Sequence, residues 1–244
     1  MTLPDQLSAQ ITLTGQTMDL IGGLYLAYDL LGGDKGPLST LTRVVTYSLL
    51  MVILLSLPMG LKFGLPAGIG LGIALGLHLE RIGRGQKETA KFLFAVGLLR
   101  ATGIYLAALW DGSPGLAACA FPLVLVASII LPKLKLSPAY FYEAGKKPSF
   151  GWRKFLLACV MGIMAAGAGV VTAFLQHDSS HIVMLVLKPA LTLSMAMMVI
   201  TTVTPLIEWY ADNIPGKTMG YLGTTLFVVG FAVQAIPSLV TVLR

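Results

Sequence analysis

Residues 44–79 read VVTYSLLMVILLSLPMGLKFGLPAGIGLGIALGLHL, and Lys62 is the only Lys, Arg, Asp or Glu among them. Two apolar runs, Val44 to Gly60 and Phe63 to Leu79, flank that lysine. A helix rises 1.5 Å per residue, so about 17 to 25 apolar residues cross the roughly 30 Å hydrocarbon core of a bilayer. The stretch therefore predicts two antiparallel transmembrane helices with a very short connection.

The same pattern continues along the rest of the chain. Six further apolar runs reach transmembrane length: Ile11 to Leu31, Phe92 to Trp110, Gly115 to Leu131, Phe155 to Leu175, Ile182 to Ile207 and Thr218 to Val242. The whole chain is 56% hydrophobic and 11% charged, whereas soluble domains carry roughly 25% charged residues. We therefore predict an all-α, polytopic membrane helix bundle of about eight transmembrane helices. It forms a single transmembrane domain over residues 1–244, with no soluble domain and the lipid bilayer as its first partner.

The charge distribution predicts the orientation of this bundle. The 17 basic residues exceed the 11 acidic ones, but they lie between the apolar runs rather than in one patch, which argues against nucleic-acid binding. Basic residues accumulate in cytoplasmic loops. Placing both termini outside leaves only Lys62 and Arg244 in outer segments. The sequence thus predicts an N-out, C-out protein of the cytoplasmic (inner or plasma) membrane.

A glycine stripe occurs in the third run, where Gly64, Gly68, Gly72 and Gly76 recur every fourth residue. Such a stripe lets another helix backbone approach closely, so we interpret it as a helix-packing face. Helix six is the expected partner, because it carries its own small residues: Ala158, Gly162, Ala165, Ala166 and Gly169. A pore lining, a sliding surface and a homo-oligomer face are the alternatives.

Ionisable side chains inside the apolar runs are the strongest indication of a functional site, because a charge at the bilayer centre costs a few kcal/mol. Counted from the outer ends at 1.5 Å per residue, Asp19 lies about 12 Å deep, Arg100 about 15 Å and Lys188 about 9 Å. Gln234 reaches about 12 Å, and Gln16 lies one turn above Asp19. These five are the candidate substrate-binding residues. One acid and two bases favour an anionic ligand, whereas a static ion pair is the structural alternative.

Catalytic and metal-binding motifs are missing from the sequence. It contains no GxSxG, P-loop, CxxC or HExxH pattern, which argues against an enzyme. His177 and His181 could share one face of a helical turn, but four zinc ligands cannot be assembled around them. His78 is interpreted as an interfacial residue. We expect no metal and no cofactor.

Two functions follow from these observations. The first is a small secondary transporter or carrier for an anionic or polar small solute, with Arg100 and Lys188 attracting the anion and Asp19 exchanging a proton. The second is a non-catalytic membrane subunit or assembly factor, in which the same charges are struts within a larger membrane complex. An enzyme acting on lipid ranks third.

Overall fold

The computed structural model describes residues 5–30, 36, 38–141, 151–176, 182–213 and 218–242, and this part of the chain is helical with no strand. Eight long helices follow one another: α1 (Asp5–Leu30), α2 (Ser39–Met59), α3 (Leu61–Gly83), α4 (Ala90–Trp110), α5 (Pro114–Lys133), α6 (Trp152–Gln176), α7 (Ile182–Asn213) and α8 (Thr218–Val242). A 3₁₀ turn, Pro138–Phe141, follows α5. The predicted all-α fold is confirmed.

Seven of the described helices, α2 to α8, are long and apolar enough to cross a membrane. The first helix has 26 residues, enough for a crossing, but a less apolar composition than the others. Large apolar side chains face outward, including Leu57 and Phe174, which are each 80% exposed. Soluble proteins rarely expose apolar surface so extensively. The chain is a multi-pass integral membrane protein, and the orientation of its termini stays a prediction.

The chain divides into two compact units. One unit comprises residues 1–42 and 213–244 and contains the pair of α1 and α8; we call it the α1–α8 unit. The other comprises residues 43–212 and contains most of α2 together with α3 to α7; we call it the α2–α7 unit.

Glycines hold α1 and α8 close together in the α1–α8 unit. Gly15 faces Gly230, and Gly22 faces Gly223 in the antiparallel sense. A Cβ on Gly22 would lie 2.6 Å from the carbonyl oxygen of Gly223, closer than side-chain carbons approach. The two glycines on each helix are seven residues apart, which places them on one face two turns apart. Backbone contact of this kind requires glycine at these positions.

The glycine stripe of α3 packs against α2. Gly60 alone connects the two helices with φ +87°, a conformation that glycine adopts without steric cost. The stripe residues Gly64, Gly68, Gly72 and Gly76 meet, in this order, Ser56, Val52, Ser48 and Val44 of α2. The prediction that helix six packs against the stripe was therefore wrong. The one-residue connection already brings α2 alongside α3. Gly162 of helix six instead faces Ser194 of α7.

The remaining neighbours in the α2–α7 unit are also antiparallel. Gly70 and Gly103 form the close crossing of α3 and α4, and the rings of Tyr105 and Phe121 join α4 to α5 at 5.8 Å. The Ser194 hydroxyl of α7 donates a hydrogen bond of 3.0 Å to the Ala158 carbonyl of α6. Two ends result. We call the end with Gly60 and the turn 111–113 the hairpin end, and the end with Glu80, Glu88 and the 3₁₀ turn the ion-pair end.

Candidate functional site

Two adjoining cavities lie inside the α2–α7 unit. The first, nearer the hairpin end, we call the apolar cavity. Of the described residues that line it, Thr192 alone has a polar side chain; the others are Leu55, Met59, Phe63, Ala67, Leu71, Ile104, Leu116, Ala120, Leu123, Val124, Met161, Met164, Ala165, Ala168, Pro189 and Leu193. The second, nearer the ion-pair end, we call the Arg100 cavity. Five residues line both cavities: Leu71, Ile104, Val124, Met161 and Leu193. The two cavities therefore follow each other along the interior of the unit.

The polar side chains of the Arg100 cavity are those of Arg100, Ser128 and Ser137. Arg100 lies ten residues from either end of α4, about 15 Å along the helix. No hydrogen bond or ion pair joins its guanidinium to another described residue. Ser128 and Ser137 are buried, and the Ser137 hydroxyl also lacks a hydrogen-bond partner in the part of the chain that the structure describes. This cavity thus offers one cation and two hydroxyl groups to a ligand.

Glu88 organises a partly buried cluster beside this cavity, which we call the Glu88 cluster. The Glu88 carboxylate accepts hydrogen bonds from His78 Nε2 of α3 and from the hydroxyl of Tyr140 in the 3₁₀ turn. The imidazole of His78 is fully buried and packs edge-on against the rings of Phe92 and Tyr140. Glu88 is also the acidic group that interacts electrostatically with Arg100, although no direct ion pair links them. His78, expected to be an interfacial residue, is part of this interior cluster.

A second cluster at the ion-pair end, the Arg43 cluster, connects α2, α3 and α7. Arg43 Nη1 lies 2.5 Å from Glu80 Oε2, and Arg43 Nε donates to Glu208 Oε2 at 3.1 Å. The Tyr47 hydroxyl donates to Glu208 Oε1 at 2.8 Å, and Arg84 Nε lies 2.6 Å from Glu80 Oε1. Two arginines face two glutamates, so the charges balance among the described residues of the cluster. These ion pairs join the helices to one another.

The sequence places five candidate side chains at similar depth, and two of them make contact. In the α1–α8 unit, Gln234 Nε2 donates a hydrogen bond to Asp19 Oδ2. Asp19 Oδ1 is buried against Gly230 and has no partner in the described residues. Gln16 is exposed on α1. The structure thus shows a polar contact between the two helices in which Asp19 keeps one unsatisfied oxygen.

Lys188, the remaining candidate, lies on the surface of α7. It lines a groove between α2 and α7 that we call the α7 groove, together with Leu54, Leu57, Pro58, Leu187, Leu191, Thr192, Met195, Ala196 and Val199. Lys188 and Arg100 therefore line different cavities of the α2–α7 unit. A lysine in this position can extend its ammonium group toward the membrane surface along an apolar wall.

The two clusters were missed at the level of sequence because the search for charges was confined to the apolar runs. Arg43, Glu80, Glu88 and Glu208 all lie just beyond the run boundaries, where a charge is usually solvated. The available signal was the scarcity of acidic residues, of which the chain has 11, and the position of Glu80 and Glu88 in one basic loop. His177 and His181 lie outside the described residues.

Comparison of the chain with protein families, with curated proteins and with solved structures finds no match in any of the three. The function is therefore inferred from the residues and their geometry.

Proposed function

We propose that this protein is a small secondary transporter for an anionic solute and that Arg100 binds the anion. The observation that carries the proposal is the position of Arg100, which lines an internal cavity at the middle of α4 with no direct partner among the described residues. A charged side chain inside a membrane costs several kcal/mol unless a partner or water compensates it. A bound anion would supply that compensation.

Glu88 would partly compensate the charge of Arg100 whenever no anion is bound. Its carboxylate interacts with Arg100 at longer range while it is held by His78 and Tyr140. An anion in the Arg100 cavity would lie closer to the guanidinium than Glu88 does. The positive charge of Arg100 is therefore partly balanced by Glu88 without a ligand and more fully balanced by a bound anion. This difference in electrostatic stabilisation favours binding without preventing release.

Prolines within three helices around the cavities suit a transporter. Pro66 lies inside α3, Pro122 inside α5 and Pro189 inside α7, and Pro189 lines the apolar cavity. Proline removes a backbone donor and loosens a helix locally, and interrupted helices are common around transporter sites. We assign the movement that exposes Arg100 to these helices. We also propose that the termini lie outside a cytoplasmic membrane and that Lys188 attracts anions. Asp19 would exchange a proton, and Gln16 and Gln234 would serve as further polar substrate-binding residues.

Replacing Arg100 tests the proposal. Arg100→Gln keeps a polar side chain, although a shorter one, and removes the charge. We expect uptake by proteoliposomes to fall more than tenfold, because a charge-assisted hydrogen bond is worth about 1.5–3 kcal/mol. Uptake is measured with labelled methanesulfonate, butanesulfonate, octanesulfonate, sulfate and phosphate, so that anions of different charge and size are compared.

Arg84→Gln is the matched control, since it removes the same charge from a side chain that is 54% exposed and away from both cavities. Its uptake should stay within about twofold of the unsubstituted protein, because exposed ion pairs contribute little. Equal uptake in all three proteins, or none above empty liposomes, would contradict the transporter. If the unsubstituted protein shows no uptake and Arg100→Gln lowers the yield of folded protein, the membrane-subunit alternative is favoured.

The variant Asp19→Asn tests whether Asp19 exchanges a proton during uptake. Asparagine retains the size of the side chain and a contact with Gln234, but it cannot exchange a proton. We expect uptake by Asp19→Asn to lose its dependence on an imposed pH gradient while uptake without a gradient persists. The measurement compares both proteins in liposomes of equal and unequal internal pH. The same response to the gradient in both proteins would remove Asp19 from any coupling role.

A further inference from the structure

The chemistry of the two cavities narrows the class of anion that this site would bind. We infer, resting on the proposed function, that the ligand is a single-chain amphiphile with one anionic group: the head lies at Arg100, and an alkyl or similar apolar tail enters the apolar cavity.

The first step concerns the head. Among the residues that the structure describes, Arg100 is the single cationic group that lines the Arg100 cavity, and Ser128 and Ser137 add only hydroxyl groups. A multiply charged, strongly hydrated ion would have to exchange its water for one guanidinium and two hydroxyls. That exchange leaves most of its charge uncompensated in a low-dielectric interior. A monoanion matches the available charge.

The second step concerns the tail. The apolar cavity directly continues the Arg100 cavity, since both are lined by Leu71, Ile104 and Leu193. Its walls are almost wholly aliphatic, aromatic and thioether groups. Apolar cavities of this kind stay dry and accept apolar groups, so they offer nothing to a small hydrophilic anion. They stabilise a hydrocarbon tail by about 0.8 kcal/mol for each methylene buried.

The third step concerns size. Along α7, Pro189 lines the apolar cavity and Met197 lines the Arg100 cavity, a separation of eight residues or about 12 Å. The apolar cavity has a volume of about 70 Å³. These dimensions suit one short chain better than the paired chains of a diacyl lipid.

A chain-length series tests this inference with the unsubstituted protein in lipid nanodiscs. Methanesulfonate, butanesulfonate and octanesulfonate carry the same permanent charge and differ only in the tail. Binding is measured by isothermal titration, with empty nanodiscs as the reference for partitioning into lipid. We expect the affinity to rise about two- to fourfold per methylene and to level off within the series when the cavity is full.

Variants of Arg100 and of the apolar cavity separate the contribution of the anionic head to the affinity from that of the apolar tail. Arg100→Gln should weaken every member of the series about ten- to hundredfold. Ala120→Phe fills the apolar cavity, which Ala120 lines, and should remove the gain with chain length while methanesulfonate still binds. Ala168→Phe repeats this test from α6. Octyltrimethylammonium, which has the same tail and the opposite charge, should not bind.

The outcomes distinguish this inference from the function on which it rests. Affinity that depends on Arg100 but not on chain length would overturn the amphiphile and keep the anion transporter. Binding of octyltrimethylammonium as tight as octanesulfonate would also overturn it, because the cavity would then select for the tail alone. Sulfonate binding that is unchanged in Arg100→Gln at every chain length would overturn the anion site itself.

Discussion

Arg43→Met is expected to lower the free energy of unfolding by about 3–5 kcal/mol. Arg43 is 13% exposed and bridges the carboxylates of Glu80 and Glu208, which are 8% and 5% exposed. Methionine retains the aliphatic volume but leaves two buried glutamates facing each other with less positive charge between them. Removing one partner of a buried ion pair is costly because the other charge stays desolvated. The measurement is SDS-induced unfolding of the purified protein in mixed micelles.

The matched control is Arg84→Met, which removes a second cation from the same Glu80 carboxylate. Arg84 is 54% exposed, so water compensates for its loss, and the expected change is below about 1 kcal/mol. Adding Glu208→Gln to Arg43→Met should recover part of the lost stability, since one orphaned charge is removed. If Arg43→Met and Arg84→Met lowered the free energy of unfolding equally, the ion pairs of the Arg43 cluster would not be what holds α2, α3 and α7 together.

Gly72→Ala is expected to destabilise the protein by about 1–3 kcal/mol, although alanine is the better helix former. A Cβ at Gly72 would overlap the backbone of Ser48 on α2, so the two helices must separate. Gly76→Ala should cost less, because its Cβ would lie 2.8 Å from the nearest backbone atoms of Val44. The resistance of each variant to SDS-induced unfolding gives this ranking.

Gly167→Ala is the matched control, because Gly167 is also a helical glycine and a Cβ there would meet nothing within 4 Å. It should be neutral or stabilising by up to about 1 kcal/mol, the difference in helix propensity between the two residues. If all three substitutions were stabilising, the close contact of α2 and α3 would have to be abandoned.

Hydropathy alone was sufficient to predict that this protein is an all-α bundle of membrane-crossing helices. The bilayer requires long apolar helices, so the runs around Lys62 and Arg100 identified α2, α3 and α4 with ends within a few residues. Short connections predicted the antiparallel neighbours. The helix that packs against the glycine stripe was not predictable in this way. The stripe identifies the packing face of α3, but it does not indicate which helix contacts that face.

The site was predictable only in part. Arg100 stood out, because an arginine within an apolar run has few explanations. Arg43 and Glu208 did not, since a residue at a run boundary reads as solvated until its neighbours are known. The pairing of Asp19 with Gln234 required knowledge of which helices touch, and the chain separates these residues widely. The sequence around either residue gives little indication of a contact with a residue so far away in the chain.

The pairing of α1 with α8 also has a consequence for biosynthesis. α1 leaves the ribosome long before α8, and at about 5 to 20 residues per second the intervening chain takes roughly 10 to 40 s to synthesise. During that interval Asp19 lacks Gln234, and Gly15 and Gly22 lack the backbone that covers them. The nascent first helix, which is less apolar than those that follow, has to be accommodated by the insertion machinery or by the membrane surface until its distant partner emerges.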